Sequence, residues 1–85
     1  MTRAQVISKF GAPERDETFP MSDAVGEFRV ELFNTYPPNK PANASVKIEE
    51  MWWKGGDYWI TLWLHQKNGD WKVLDSCRWH KDVRF

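Results

Sequence analysis

Residues 57–79 read DYWITLWLHQKNGDWKVLDSCRW, and this stretch decides the fold of the chain. Asn68-Gly69 lies between two runs that are rich in β-branched and aromatic residues. Because a type I′ turn needs positive φ at both central positions, this dipeptide predicts a β-hairpin with a two-residue loop. The turn also sets the register of the two strands. The predicted pairs are Lys67–Asp70, Gln66–Trp71, His65–Lys72, Leu64–Val73, Trp63–Leu74, Leu62–Asp75, Thr61–Ser76, Ile60–Cys77, Trp59–Arg78 and Tyr58–Trp79.

The predicted hairpin has two unlike faces, because successive side chains of a strand point to opposite sides. One face is aliphatic, with Ile60, Leu62 and Leu64, and we expect it to join the core. The other face carries Trp59 and Trp63. This second face is the one functional lead that the sequence offers.

Composition sets limits on the class of protein. The chain has 85 residues, so we expect a single domain over residues 1–85. Its six tryptophans supply much of a core, since each buries about 200 Å². Twelve basic and twelve acidic residues cancel, so nucleic acid is not an expected partner. The absence of a secretory signal and of a long apolar run predicts a cytoplasmic protein without membrane segments.

The N-terminal residues predict a short helix. Thr2 and Gln5 have the spacing of a capping box, in which each side chain binds the backbone of the other residue. Val6, Ile7 and Phe10 then form an apolar stripe at helical spacing, and a Gly-Ala-Pro sequence ends the pattern. A helix of two to three turns is unstable alone, so we expect it to dock on the rest of the chain.

This opening segment resembles a known family. The residues from Thr2 to Pro13 follow the pattern T-x-x-Q-V-x-x-x-F-G-x-P. The pattern is similar to the first helix of the small outer-membrane lipoproteins that accompany the β-barrel assembly machinery. The resemblance implies helices packed on an antiparallel sheet. It covers about a dozen residues, and we find neither the signal peptide nor the lipid-attachment cysteine of those lipoproteins, so it implies nothing about location or partners.

Four strands are predicted in total. Apolar alternation at Phe28, Val30 and Leu32 indicates the first strand. We interpret residues 14–24 as a loop and the proline-rich residues 34–44 as an extended, polyproline-like loop. The predicted fold class is α+β, a short N-terminal helix packed on a four-stranded antiparallel β-meander. The predicted strands are Val25–Phe33, Ser45–Trp53, Asp57–Gln66 and Asp70–Trp79.

The turn before the central hairpin has two possible readings. A two-residue Gly55-Gly56 turn places Ile48 and Trp52 on the tryptophan face of the hairpin. A three-residue turn that begins at Lys54 places them on the aliphatic face instead. We favour the second register, because it gathers the aliphatic residues of all four strands on one face.

Under that register one patch of the sheet is rich in tryptophan and basic residues, which are typical of binding surfaces. Two other interpretations stay open: the cations only support the rings on a solvated face, or residues 14–24 fold over this face. The predicted site residues are Lys47, Met51, Trp53, Trp59, Trp63, His65, Leu74 and Arg78.

No catalytic or metal-binding arrangement is predicted. Glu50 and Asp75 both point to the aliphatic face, where a position near the sheet margin or pairing with an arginine such as Arg3 accounts for them better than acid–base chemistry does. Cys77 and His80 lie on opposite faces of a strand, so they are not expected to share a metal ion, and Cys77 is expected to be buried and inert. We therefore expect neither enzymatic activity nor a cofactor.

The leading hypothesis is a module that binds a protein partner or self-associates through the tryptophan face. The alternative is a binder of a small aromatic ligand, a sugar or single-stranded nucleic acid on the same tryptophans.

Overall fold

The computed structural model describes residues 1–24 and 29–82 of the chain. Strands β1 to β4 form one antiparallel sheet in chain order. The α+β class and the four-stranded antiparallel sheet are therefore confirmed. The elements in order are helix α1 (Arg3–Phe10), strand β1 (Arg15–Pro20), a first 3₁₀ helix (Met21–Asp23), helix α2 (Leu32–Thr35), a second 3₁₀ helix (Pro41–Ser45), and strands β2 (Lys47–Gly55), β3 (Tyr58–Lys67) and β4 (Asp70–His80).

Helix α1 begins with the predicted capping box. The Thr2 hydroxyl accepts a hydrogen bond from the Gln5 backbone N–H, and the Gln5 side chain accepts one from the Thr2 backbone N–H at 2.9 Å. The helix ends where the N–H of Gly11 donates to the carbonyl of Ile7 at 2.8 Å. Val6, on its apolar stripe, is completely buried.

The hairpin of β3 and β4 turns at Asn68 and Gly69, as predicted, with φ values of 54° and 86°. The four pairs nearest this turn, from Lys67–Asp70 to Leu64–Val73, are confirmed. Beyond them a β-bulge leaves Leu74 without a partner in β3, so Trp63 pairs with Asp75. An extra residue in one strand shifts every later pair by one position. The six remaining predicted pairs are therefore wrong, and the observed pairs are Trp63–Asp75, Leu62–Ser76, Thr61–Cys77, Ile60–Arg78, Trp59–Trp79 and Tyr58–His80.

The hairpin of β2 and β3 differs from both predicted turns. Gly55 pairs with Tyr58, so the loop is Gly56-Asp57, and Gly56 has the positive φ of 55° that the first position of a type II′ turn requires. Opposite residues of an antiparallel pair share a face, and Trp53 pairs with Ile60. Trp59 precedes Ile60 in the strand and therefore points to the other face. The favoured register, which places Trp53 and Trp59 on one face, is wrong.

The first strand of the sheet is not the predicted one. Arg15–Pro20, predicted as a loop, pairs with β2 along one edge of the sheet. Leu32–Thr35, which covers the end of the predicted strand Val25–Phe33, is helical, and residues 25–28 lie outside the described residues. The predicted strand places Val30 on its buried, apolar face. In the structure Val30 is 59% exposed, so this part of the prediction is also wrong.

The proline-rich segment is also more compact than predicted. The N–H of Lys40 donates to the carbonyl of Pro37 at 3.3 Å, which closes a turn. Pro41 then occupies the first turn of the second 3₁₀ helix, where its missing N–H costs nothing. The prediction of an extended, polyproline-like loop is therefore wrong.

Each face of the sheet carries its own hydrophobic cluster. On the first face, called the α1 face, Val6 of α1 packs with Met51, Trp53, Leu62 and Leu64. The ring of Phe10 lies 5.4 Å from that of Trp53, and the Trp53 indole N–H donates to the Gly11 carbonyl at 3.0 Å. On the second face, called the α2 face, Leu32 of α2 packs with a cluster that the 3₁₀ helix of residues 21–23 also joins. Its other buried members are Met21, Ala24, Ile48 and Trp63.

The turn conformation leads to a prediction on stability. A methyl group added at Gly69 would meet no atom within 4 Å, so any cost of Gly69→Ala arises from a φ of +86° alone. We expect it to lower the free energy of unfolding by about 1–2 kcal/mol, measured by urea denaturation. Gly55→Ala is the control, since Gly55 lacks positive φ and its added methyl would lie 3.7 Å from the Tyr58 carbonyl oxygen. Equal stability of the two variants would contradict the type I′ turn.

Candidate functional site

The predicted binding patch is divided between the two faces of the sheet. Met51 and Trp53 are buried in the α1-face cluster. Lys47 and Arg78 are exposed, and the Arg78 guanidinium lies 4.4 Å from the ring centre of Tyr58. Alternation along β2 and β4 places both cations on the α1 face as well. The prediction of one continuous patch is therefore wrong.

The other four predicted site residues lie on the α2 face. Trp63 is completely buried, and Leu74 packs against the same cluster. His65 is half-buried, with its Nδ1 atom 2.5 Å from the Tyr36 hydroxyl. Of the predicted tryptophans, Trp59 alone keeps part of its ring at the surface of this face. It is the residue around which a site can be built.

Trp59 belongs to a group of three half-buried tryptophans, Trp52, Trp59 and Trp79, which we call the tryptophan corner. The rings of Trp59 and Trp79 are nearly parallel, with centroids 5.8 Å apart and planes at 9°. Trp52 meets both edge-on, at 5.9 Å from Trp59 and 5.4 Å from Trp79. These offset-stacked and T-shaped arrangements are the favourable ones for aromatic rings. The corner is thus a rigid, partly exposed aromatic surface.

Strand register brings the corner together. Trp59 lies between Lys54 and Trp79 in one row across the sheet, and Trp52 lies beside Thr61 in the next row. Without the bulge at Leu74, Trp59 would face Arg78 instead of Trp79. The corner therefore depends on that one extra residue in β4.

Hydrogen bonds from two indole N–H groups orient the rings. Trp79 Nε1 donates to the Thr61 hydroxyl at 3.1 Å, and Trp52 Nε1 donates to Glu50 Oε1 at 3.0 Å. Both acceptors belong to the neighbouring rows of the same face. Each bond therefore ties one indole N–H to a side chain of the sheet.

Two cations flank the corner. The Arg15 guanidinium lies 4.6 Å from the Trp52 ring centre and forms an ion pair with Glu17. The Lys54 ammonium group lies 5.9 Å from the Trp59 ring centre. A cation over an indole face is attracted by the ring quadrupole. Positive charge therefore borders the aromatic surface on the side of β1 and β2.

Beside the corner, in the next row of the same face, lies a buried ion pair. The Glu50 side chain is 1% exposed and accepts hydrogen bonds from Arg29 Nε at 3.1 Å and Arg29 Nη2 at 2.5 Å. Arg29 also covers the Phe19 ring, at 4.7 Å from its centre. The expectation that an arginine neutralises Glu50 is met by Arg29 rather than by Arg3. The pair joins the segment before α2 to the sheet next to Trp52.

Each face of the sheet also carries ionisable side chains with a shifted pKa. On the α1 face, burial raises the pKa of Glu49, the nearby Asp16 raises it further, and Arg3 at 2.9 Å opposes both effects. On the α2 face, burial raises the pKa of the Cys77 thiol, and the carboxylates of Glu31 and Asp75 add to this effect. Cys77 is half-buried and is held as a thiol at neutral pH.

Comparisons complete the description of the site. Within residues 1–24 and 29–82, no three His, Cys, Asp or Glu side chains are grouped closely enough to hold a metal ion. In the same residues, no helix has the length and hydrophobicity needed to cross a membrane. Searches against protein-family models, curated proteins and solved structures find no match to this chain.

The ion pair beside the corner leads to the second prediction. Arg29→Met leaves the buried Glu50 carboxylate without its cation, and we expect the free energy of unfolding to fall by about 3–5 kcal/mol. The double variant Arg29→Met with Glu50→Met removes both charges and should recover most of that loss. Urea denaturation at neutral pH measures all of these values.

The control for this prediction is Arg15→Met, which breaks an ion pair whose two side chains are 53% and 46% exposed. Such surface pairs contribute about 0–1 kcal/mol, so this variant should unfold nearly as the parent chain does. An Arg29→Met variant as stable as Arg15→Met would contradict the burial of Glu50.

Proposed function

We propose that this chain is a non-enzymatic protein-interaction module and that its binding surface is the tryptophan corner. The observation that carries the proposal is the contact of three half-buried tryptophans at one end of the α2 face. Elsewhere on this face, the chain's own helix α2 and first 3₁₀ helix pack on Ile48 and Trp63. Trp63 of this face is therefore completely buried, whereas these three tryptophans are partly exposed.

Preorganisation supports a binding role. The edge-on and parallel ring contacts, together with the bonds to Thr61 and Glu50, fix the orientation of the corner before any partner arrives. A surface that is already ordered loses little side-chain entropy on association. Tryptophan and arginine are also the residues most enriched among binding hot spots, and Arg15 lies directly over Trp52.

The charges indicate what kind of partner fits. Arg15 is paired with Glu17, whereas Lys54 borders Trp59 in an exposed position. A protein surface that inserts an apolar side chain against the rings and places a carboxylate near Lys54 would match both features. A planar ring ligand fits less well, because the cations already lie over the faces of Trp52 and Trp59.

The buried carboxylates support a non-enzymatic role. Glu50 is engaged by Arg29 and by the Trp52 indole, and Glu49 is engaged by Arg3. These contacts give both groups a structural function in holding separate parts of the chain to the sheet.

Substitution of Trp59 tests the proposal. A partner is first captured on the immobilised chain and purified, and its dissociation constant is then measured for each variant. We expect Trp59→Ala to weaken binding at least about 30-fold, as loss of a central aromatic anchor does. The matched control is Tyr58→Ala, the preceding residue, which points to the α1 face and is 42% exposed. It should bind within about twofold of the parent chain, since truncation outside the contact surface is nearly neutral.

A second pair of variants leaves the rings intact. Lys54 and Lys47 lie in the same strand on opposite faces, and both are exposed. Lys54→Glu should weaken binding of the captured partner and should reduce its association rate most at low salt, whereas Lys47→Glu should not. Equal binding by Trp59→Ala and Tyr58→Ala would contradict the proposal. A different outcome is that oligothymidylate or an oligosaccharide binds the chain in a saturable manner, with binding lost in Trp59→Ala. That result would contradict a protein partner and assign the corner to the ligand that binds.

A further inference from the structure

A cavity of about 210 Å³ lies away from the tryptophan corner, among the irregular segments that cover the other end of the α2 face. Met21 and Ala24 belong to its wall on the side of the first 3₁₀ helix, and Phe33 belongs to helix α2. Ala44 of the second 3₁₀ helix closes another side. The apolar part of the wall is therefore built from three separate short elements.

Size limits what this cavity accommodates. An apolar cavity of about 150 Å³ holds benzene, so this cavity of about 210 Å³, which opens to solvent beside the exposed residues Ser22 and Ala44, has room for a ring with one or two substituents. It is smaller than the sites of about 300–1,000 Å³ that hold larger metabolites. A single-ring molecule is the largest ligand that matches it.

The polar groups of the wall specify the ligand further. The polar lining residues are Ser22, Tyr36 and Asn43, and no charged side chain is among the described lining residues. Burial raises the pKa of Tyr36, so its hydroxyl stays protonated, and this hydroxyl is hydrogen-bonded to His65 Nδ1 at 2.5 Å. Asn43 donates through Nδ2 to the Pro37 carbonyl at 3.0 Å. The Tyr36 hydroxyl oxygen has two lone pairs and Asn43 Oδ1 is an acceptor, so each residue can accept a hydrogen bond from a ligand.

We propose that this cavity binds a small neutral molecule with a single aromatic or aliphatic ring and one hydrogen-bond donor. The ring would occupy the space between Phe33, Ala24 and Ala44, and the donor would meet the oxygen of Tyr36 or Asn43. A charged ligand would lose its hydration without gaining a partner of opposite charge. This site is separate from the tryptophan corner and does not depend on the function proposed for it.

Phenol is the probe for the first test. Titration of the isotope-labelled chain, followed by backbone amide and methyl NMR shifts, should give saturable binding with a dissociation constant of about 1 mM or tighter. The largest shifts should fall on Phe33, Tyr36 and Ala44. Benzene, which lacks the donor, should bind more weakly, and benzoate at neutral pH should not bind. Non-saturable shifts, or shifts concentrated at Trp52, Trp59 and Trp79, would overturn the proposal.

Two alanines of one 3₁₀ helix provide a matched pair of variants. Ala44 lines the cavity, whereas Ala42, two residues earlier in the same helix, is not among the lining residues. Ala44→Leu should fill the cavity and weaken phenol binding at least tenfold, and Ala42→Leu should leave it unchanged. Thermal melts confirm that both variants fold. Undiminished phenol binding by a folded Ala44→Leu variant would show that phenol binds elsewhere and would overturn the proposal. If that variant does not fold, the residues of the parent chain whose NMR signals shift with phenol decide whether the cavity is the binding site.

Discussion

Gly55 pairs with Tyr58 across the hairpin of β2 and β3. This pairing determines which side chains of β2 share a face with which side chains of β3. Side chains alternate with a period of two, so lengthening or shortening the loop by one residue would exchange the two faces of β2. With the loop at Gly56-Asp57, Met51 and Trp53 join Val6 on the α1 face, and Ile48 joins Leu32 on the α2 face. The thin, two-sided core of this chain depends on that register.

A second irregularity, the bulge at Leu74, acts on the far end of the same sheet. It shifts the pairing of the second half of β4 by one residue, so that Trp79 pairs with Trp59 and Cys77 pairs with Thr61. The buried ion pair of Arg29 with Glu50 then connects the α2 segment to the row next to the corner. The corner and the cavity thus lie on one face but arise from different causes: the corner from strand register, and the cavity from the packing of three short elements.

Local signals in the sequence predict the parts of this fold that depend on local geometry. The capping box of Thr2 with Gln5 and the turn at Asn68-Gly69 each involve a few adjacent residues, and both are confirmed. The loop at Gly56-Asp57 is less predictable, because the run from Lys54 to Asp57 permits several short turns and tertiary packing selects among them. Strand β1 is missed for a similar reason, since its sequence RDETFP has charged residues where the apolar alternation of a strand was sought. No residue type marks the bulge, as Leu74 is compatible with both the predicted and the observed pairing of β4.

Of the candidate site, the sequence therefore identifies Trp59 but misses Trp52 and Trp79.

The central claim is that the two registers separate Trp53 and Trp63 into opposite cores and gather Trp52, Trp59 and Trp79 into one corner. Nuclear Overhauser contacts between assigned aromatic side chains test it most directly. The structure predicts contacts of the Trp59 ring with Trp52 and Trp79, and of the Trp53 ring with Phe10. Contacts of the Trp59 ring with Met51 or Trp53, and their absence between Trp59 and Trp79, would contradict it.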